Sequence, residues 1–104
     1  SLYTVIKNNY ISGDYSVAGI DGATALATNI VIDSNLIDNL DPSAGLAIGL
    51  HANTLGIVCR NLTHGGLNAT APISAAKCMC CENYATTVEA ESGNLCPAAG
   101  DWAT

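Results

Sequence analysis

The chain of 104 residues carries a formal charge of −6, from nine Asp and Glu against three Lys and Arg. That balance excludes docking on a nucleic-acid backbone or on an anionic membrane surface, both of which need clustered cations. The apolar fraction of 49% contains no Phe and one Trp, so a single narrow aliphatic core is expected, and no apolar run is long enough for a membrane-spanning helix.

In chain order the predicted elements repeat. A strand over 3–8 is followed by a bend at Asn9, a second short strand, the loop SGDYS and a third strand starting near Gly19. The next strand, 29–34, bends at Asn35 and leads through DNLDPSAG to a third strand near Gly45. Strand 56–60 bends at Asn61 and enters THGGLNATAP; strand 77–82 bends at Asn83 and enters EAESGN, with an echo of the third strand near Gly93. The look-alike segments VIKNNYI, VIDSNLI, VCRNLTH and CCENYAT set the four asparagines at intervals of 26, 26 and 22. A shift of 26 also puts Gly19 on Gly45, Ile20 on Leu46, Thr28 on Thr54, Leu36 on Leu62 and Asp38 on His64. The shorter third interval reads as a deletion in the loop after Asn68.

A fixed period in this range means that each turn of chain buries its apolar side by lying on the next. No window shows apolar positions at helical spacing with a polar opposite face, which excludes a doubly wound α/β domain. The expected fold is an all-β, parallel β-helix of about four coils, one domain over 1–104 with a Cys-rich C-terminal cap over 77–104.

Asparagine tolerates the left-handed backbone of a tight bend, and its amide both donates and accepts. Asn9, Asn35, Asn61 and Asn83 are therefore expected to form a structural ladder. Alternation along the strands turns Ile6, Ile32, Val58 and Cys80 inward, with Ile11 and Ile37 beyond the bend, and turns Lys7, Asp33, Cys59 and Cys81 outward. Sharing a column, Cys59 and Cys81 fall within disulfide range. The expected bridged set is Cys59 with Cys81, then Cys78 with Cys96, Cys80 being the alternative to Cys78 and one cysteine being left over. Five cysteines point to an oxidising, secreted or extracellular location. Of two sequons, Asn68 is the better glycosylation acceptor, because Asn61 belongs to the ladder. The Cys-x-Cys-Cys run lacks zinc-ligand spacing and no phosphate loop is present, so neither a metal nor a cofactor is expected.

VIKNNYISG, IVIDSNLID and IVCRNLTH resemble the coil signature of the pectin-lyase-like right-handed parallel β-helix superfamily. GLAIGL, GIVCRNL, KCMCCENY and SGNLCP are similar in order to the terminal coils of polygalacturonases. The resemblance implies a carbohydrate partner. The Asn-Thr-Asp, Asp-Asp, Gly-His-Gly and Arg-x-Lys motifs of polygalacturonases do not occur in the chain, so no catalytic residue is carried over.

The columns also pair candidate functional residues. Asp38 and His64 form a potential acid–base unit, with Asp41 the nearest second carboxylate for glycosidase chemistry. Tyr10 and Tyr84, at equivalent places after the asparagine, are the candidate carbohydrate-binding rings. Thr28 and Thr54 stack, too short a row for an ice-binding face. The expected function is a secreted, glycan-associated binding or structural module without catalysis, a piece of a larger protein. The alternatives are a polysaccharide-degrading enzyme, or a subunit of one, and a self-assembling fibre subunit. Expected partners are a polysaccharide or other glycan, and another copy or an upstream polypeptide at the N-terminal end of the stack.

Overall fold

The computed structural model describes residues 3–85, 87–90 and 93–95. Among them are twelve strands and no helix: β1 (Thr4–Lys7), β2 (Tyr10–Gly13), β3 (Ala18–Gly22), β4 (Ile30–Asp33), β5 (Leu36–Asn39), β6 (Leu46–Leu50), β7 (Gly56–Cys59), β8 (Leu62–His64), β9 (Ile73–Ala75), β10 (Met79–Cys81), β11 (Val88–Ala90) and β12 (Asn94–Leu95). They form three parallel sheets, β1-β4-β7-β10-β12, β2-β5-β8 and β3-β6-β9-β11. Each coil contributes one strand to each sheet, which makes the fold a parallel β-solenoid. Three coils are complete rather than about four, because after Asn83 the fourth has only a bridge between Leu62 and Tyr84 in the second sheet.

The core is aliphatic and stacked in columns. Ile32 lies on Val58 and Val58 on Cys80 in the first sheet, and Ile20 on Ile48 and Ile48 on Ile73 in the third. These side chains are buried, and Ile37 of the second sheet is fully so. Removing each Ile or Val from water contributes about 1.5–3 kcal/mol. Ile6 and Ile11, in the first coil, are only partly covered.

The expected register, a shift of 26, holds for the first two sheets: Ile6 pairs with Ile32, and Ile11 with Ile37. It fails in the third, where Ala18 pairs with Leu46 and Ile20 with Ile48, a shift of 28. The cause is loop length, since residues 14–17 connect β2 to β3 whereas residues 40–45 connect β5 to β6. The deletion in the third interval lies mostly elsewhere than after Asn68. Ile73 still pairs with Ile48 at a shift of 25, whereas Met79 pairs with Ile57 at a shift of 22, so most of the shortening falls at the corner between Ala75 and Met79. The echo at Gly93 is also corrected. The third strand of the fourth coil is β11, and Gly93, at φ 73°, turns the chain into β12 of the first sheet.

The bend has a division of labour that differs from the expectation. The left-handed backbone falls on the residue before each asparagine: Asn8 (φ 60°), Ser34 (59°), Arg60 (55°) and Glu82 (54°). The asparagines themselves supply hydrogen bonds. Asn9 Nδ2 donates to Asn35 Oδ1 at 3.1 Å, Asn35 Nδ2 to Asn61 Oδ1 at 3.0 Å and Asn61 Nδ2 to Asn83 Oδ1 at 3.0 Å. Each accepting Oδ1 also receives the backbone N–H of the asparagine above, at 3.0 Å. Buried amides so paired avoid the desolvation cost of an orphaned polar group.

Two residues expected to face solvent are covered. Cys59 is bonded to Cys81. Asp33 is covered by Arg60 of the next coil, whose Nε donates to Asp33 Oδ1 at 3.0 Å and whose Nη2 donates to Oδ2 at 2.6 Å. Thr54 is also buried, its hydroxyl accepting from Ala27 N at 3.3 Å, which removes it from any exposed threonine row. The proposed cap over 77–104 begins as ordinary solenoid, β10 to β12, and its remainder from residue 96 lies outside the described residues.

Candidate functional site: the outer face of the second sheet

Alternation in β2, β5 and β8 sends Ile11, Ile37 and Thr63 inward and the residues either side of them outward. The outward set forms two columns. One is Tyr10, Leu36 and Leu62, continued by Tyr84 through its bridge to Leu62. The other is Ser12, Asp38 and His64. All four sequence candidates, Asp38, His64, Tyr10 and Tyr84, thus belong to one face, half of it apolar and half polar.

Within the polar column, His64 Nδ1 lies 3.4 Å from Asp38 Oδ1, with the imidazole and carboxylate about one-third and one-quarter exposed (33% and 26%). The pairing follows from the register, since directly opposed residues of neighbouring parallel strands are only about 4.8 Å apart. Below His64 the chain turns through Gly65 and Gly66 to Leu67, Ala69 and Pro72, and these residues enclose a hollow of about 160 Å³ with His64 on its rim. The hollow is held by backbone bonds to the loop above: Gly66 N donates to Gly45 O at 2.7 Å, Leu67 N to Asp41 O at 3.1 Å and Asn68 N to Ser43 O at 2.8 Å. Gly66 admits this approach, since a Cβ there would lie 2.6 Å from Ser43 O.

The structure does not bring the tyrosines together. Leu36 and Leu62 stand between Tyr10 and Tyr84, three strand spacings apart, or about 14 Å. Tyr10 is largely exposed and Tyr84 partly buried, so they border the apolar column rather than forming one stacking platform. Nor does Asp41 join Asp38 and His64 as a second acid. It is buried, and its Oδ2 accepts Gly45 N at 2.7 Å.

Two structural residues of this region escaped the sequence reading. Asn39 is buried, its Oδ1 accepting Tyr15 N at 3.0 Å and Asp41 N at 3.1 Å while its Nδ2 donates to Tyr15 O at 2.9 Å and Leu46 O at 2.8 Å. This one amide ties the loop 14–17 to the loop 40–45. It has no counterpart above, where Gly13 occupies the column; the Asn two residues before Asp41-Pro42 was the available signal. Tyr15 is the other, its hydroxyl donating to Ser12 O at 3.0 Å and its ring lying against Gly13.

The cysteines separate into two kinds. Cys59 and Cys81 form a disulfide, with a sequence separation of 22. Cys78, expected with Cys96, is a buried free thiol, as is Cys80; Cys96 lies outside the described residues. Burial pushes the Cys78 thiol up, and burial together with Cys78 pushes Cys80 up to about 12. Neither is a nucleophile at neutral pH. No group of three His, Cys, Asp or Glu able to hold a metal exists among the described residues. Asn61 is fully buried in the ladder, whereas Asn68 of the second sequon is exposed on its loop. Compared with known proteins, the chain matches no family model, no curated sequence and no solved structure.

Proposed function

We propose that the protein is a secreted glycan-binding module whose outer second-sheet face holds a linear, uncharged carbohydrate running along the stack. The observation carrying this reading is the juxtaposition of the column Ser12–Asp38–His64 with the column Tyr10–Leu36–Leu62–Tyr84. A sugar ring offers hydroxyls at its edge and C–H groups on its faces. A carboxylate, an imidazole and a hydroxyl at successive coils suit the first, and leucine and tyrosine surfaces suit the second. The likeness of the coils to the pectin-lyase-like superfamily supports a carbohydrate partner. Charge selects within that class. The three cations of the chain are Lys7, Arg60 and Lys77, and none belongs to β2, β5 or β8, so a uronate carboxylate would meet Asp38 without a counter-ion. The disulfide and the exposed Asn68 sequon support export to an oxidising compartment.

Hydrolysis is not part of this reading, since it calls for a second carboxylate at the site and Asp41 is committed to Gly45. The test is calorimetric titration of neutral and uronic oligosaccharides into the protein and into Asp38→Ala, His64→Ala and Leu36→Ala. Neutral chains should bind and each substitution should weaken them about tenfold, the loss of one hydrogen-bonded or packed contact. Equal affinity in all variants, tighter binding of uronates, or release of reducing sugar would each overturn the proposal.

A further inference from the structure

Building on the glycan reading above, on which it rests, we infer that the hollow beside His64 is a subsite for an acetamido group, so that the ligand is a chain of N-acetylated hexosamines. The hollow comes from loop length. Between the second and third sheets the first coil uses residues 14–17, the second 40–45 and the third 65–72, the longest of the three. The added chain is made largely of small residues, and Gly65, Gly66, Leu67, Ala69 and Pro72 leave about 160 Å³ between them, with His64 on the rim. Gly65 keeps that space clear. A Cβ there would stand 3.0 Å from Ala69 Cβ and 3.2 Å from Pro72 Cβ, between the walls.

The hollow is also held in shape. On one side the N–H groups of Gly66, Leu67 and Asn68 are tied to the loop of the preceding coil. On the other, Pro72 O accepts Ala47 N at 2.9 Å and Ile48 N at 3.0 Å. Between them Ala69 N donates to Gly66 O at 3.0 Å and closes the turn. A site formed before the ligand arrives loses little conformational freedom on binding, which is the condition under which one small substituent adds affinity.

Size and chemistry select the occupant. At about 30 Å³ for each water-sized group the hollow accepts about five of them, which admits the nitrogen, carbonyl and methyl of an acetamido substituent and leaves a whole sugar ring outside. The walls formed by Leu67, Ala69 and Pro72 are apolar, and no Asp, Glu, Lys or Arg lines the space, so a charged substituent would be desolvated there without a counter-ion. The rim is polar. Asp38 Oδ1 lies 3.4 Å from His64 Nδ1, and its carboxylate is an acceptor suited to the amide N–H of the substituent, a donor that an acetyl ester lacks. His64 belongs both to the hollow and to the outward column of the second sheet. A chain lying along that face therefore places the substituent of one ring in the hollow while neighbouring rings rest on Leu36 and Leu62.

The experiment titrates three oligosaccharides of the same length and linkage into the full chain, built of N-acetylglucosamine, of glucose, and of glucose carrying an O-acetyl group at the same ring position. The N-acetylated chain should bind about tenfold or more tighter than the glucose chain, the worth of one buried methyl and one hydrogen bond. Its acetyl methyl should show the largest saturation-transfer NMR signal. Gly65→Ala and Ala69→Leu, which fill the hollow, should each bring the N-acetylated chain down to the affinity of the glucose chain. Leu36→Ala, outside the hollow, should weaken both chains alike. Equal affinity for the two chains, both weakened by Leu36→Ala, would overturn the subsite and leave the glycan reading standing, whereas no binding of any chain would overturn both. Ester binding as tight as amide binding would overturn the assignment to an acetamido group. A preference that survives both filled variants, or an acetyl methyl that receives the least saturation, would put the substituent elsewhere and overturn the subsite.

Discussion

Asn61 donates twice to one atom of Asn83: its backbone N–H and its Nδ2 both reach Oδ1, each at 3.0 Å. Asn61 Oδ1 in turn accepts the same two bonds from Asn35, while its Nδ2 also donates to Ile32 O. Asn61→Ala therefore strands partners on both sides in a fully buried setting. Each orphaned group costs about 1–3 kcal/mol, so the variant is expected to lose at least about 3 kcal/mol. Asn9→Ala, at the exposed end, should lose about 1 kcal/mol. Urea denaturation of the two variants measures the difference, and equal losses would show that position in the ladder is immaterial.

Glu82 is exposed and adopts φ 54°. A left-handed conformation costs an ordinary L-residue about 1–2 kcal/mol relative to glycine, part of which glycine returns as entropy of the unfolded chain. Glu82→Gly should stabilise the protein by about 0.5–1 kcal/mol, read as a higher denaturant midpoint at unchanged slope. Glu82→Val should do the reverse, since a β-branched residue is an outlier at positive φ.

Asp33 is a source of acid sensitivity. The hydrogen bonds from Arg60 hold its carboxyl below the ordinary value of 3.8, against an opposing effect of burial. A lowered folded-state pKa contributes stability that is present above the unfolded value and is lost as pH falls through the folded one. Stability should accordingly decline below about pH 4, and Arg60→Gln should lower it most at neutral pH and flatten the acid limb. Denaturation midpoints from pH 2 to 7 would reveal this, and parallel curves for the two proteins would contradict it.

Cys80 acts at the other end of the scale. Its thiol is raised to about 12 in the folded state from an ordinary 9.0, so folding favours the protonated form. That contribution is complete below about pH 9 and disappears as pH rises through the folded value. Cys80→Ala should therefore remove part of the stability loss seen above about pH 9, at the expense of a small cavity. At pH 8 a thiol reagent should modify Cys78 and Cys80 only as fast as the protein opens, which alkylation followed by mass spectrometry will measure.

The solenoid was readable because its strongest constraint is local and repeated: an amide at the bend of every coil, flanked by β-branched residues. Registers of the first two sheets followed from counting, and with them the Cys59–Cys81 bridge and the opposition of Asp38 and His64. The third sheet did not follow, because the connections before and after it differ in length, so its register depends on packing of Ile20 on Ile48 rather than on period. The left-handed residue was misplaced by one for a related reason. Asn8, Ser34, Arg60 and Glu82 share no side-chain chemistry that would mark them, only their place one residue before a ladder asparagine. Arg60 and Asp33 escaped because their contact runs diagonally between columns, whereas counting pairs only residues within one. At the candidate face, counting supplied the positions but not their grouping. That Tyr10, Asp38, His64 and Tyr84 share one surface depends on which side of the second sheet faces out.

The bond between Cys59 and Cys81 also bears on how the molecule responds to force. Strands lie across the stack and their hydrogen bonds lie along it, so tension applied between residue 3 and residue 95 loads those bonds a few at a time. Coils should come away singly, each releasing a length of about 3.3–3.6 Å per residue. The sulfur clasp then holds the intervening stretch of chain together, and extension should stall there until a reductant is supplied.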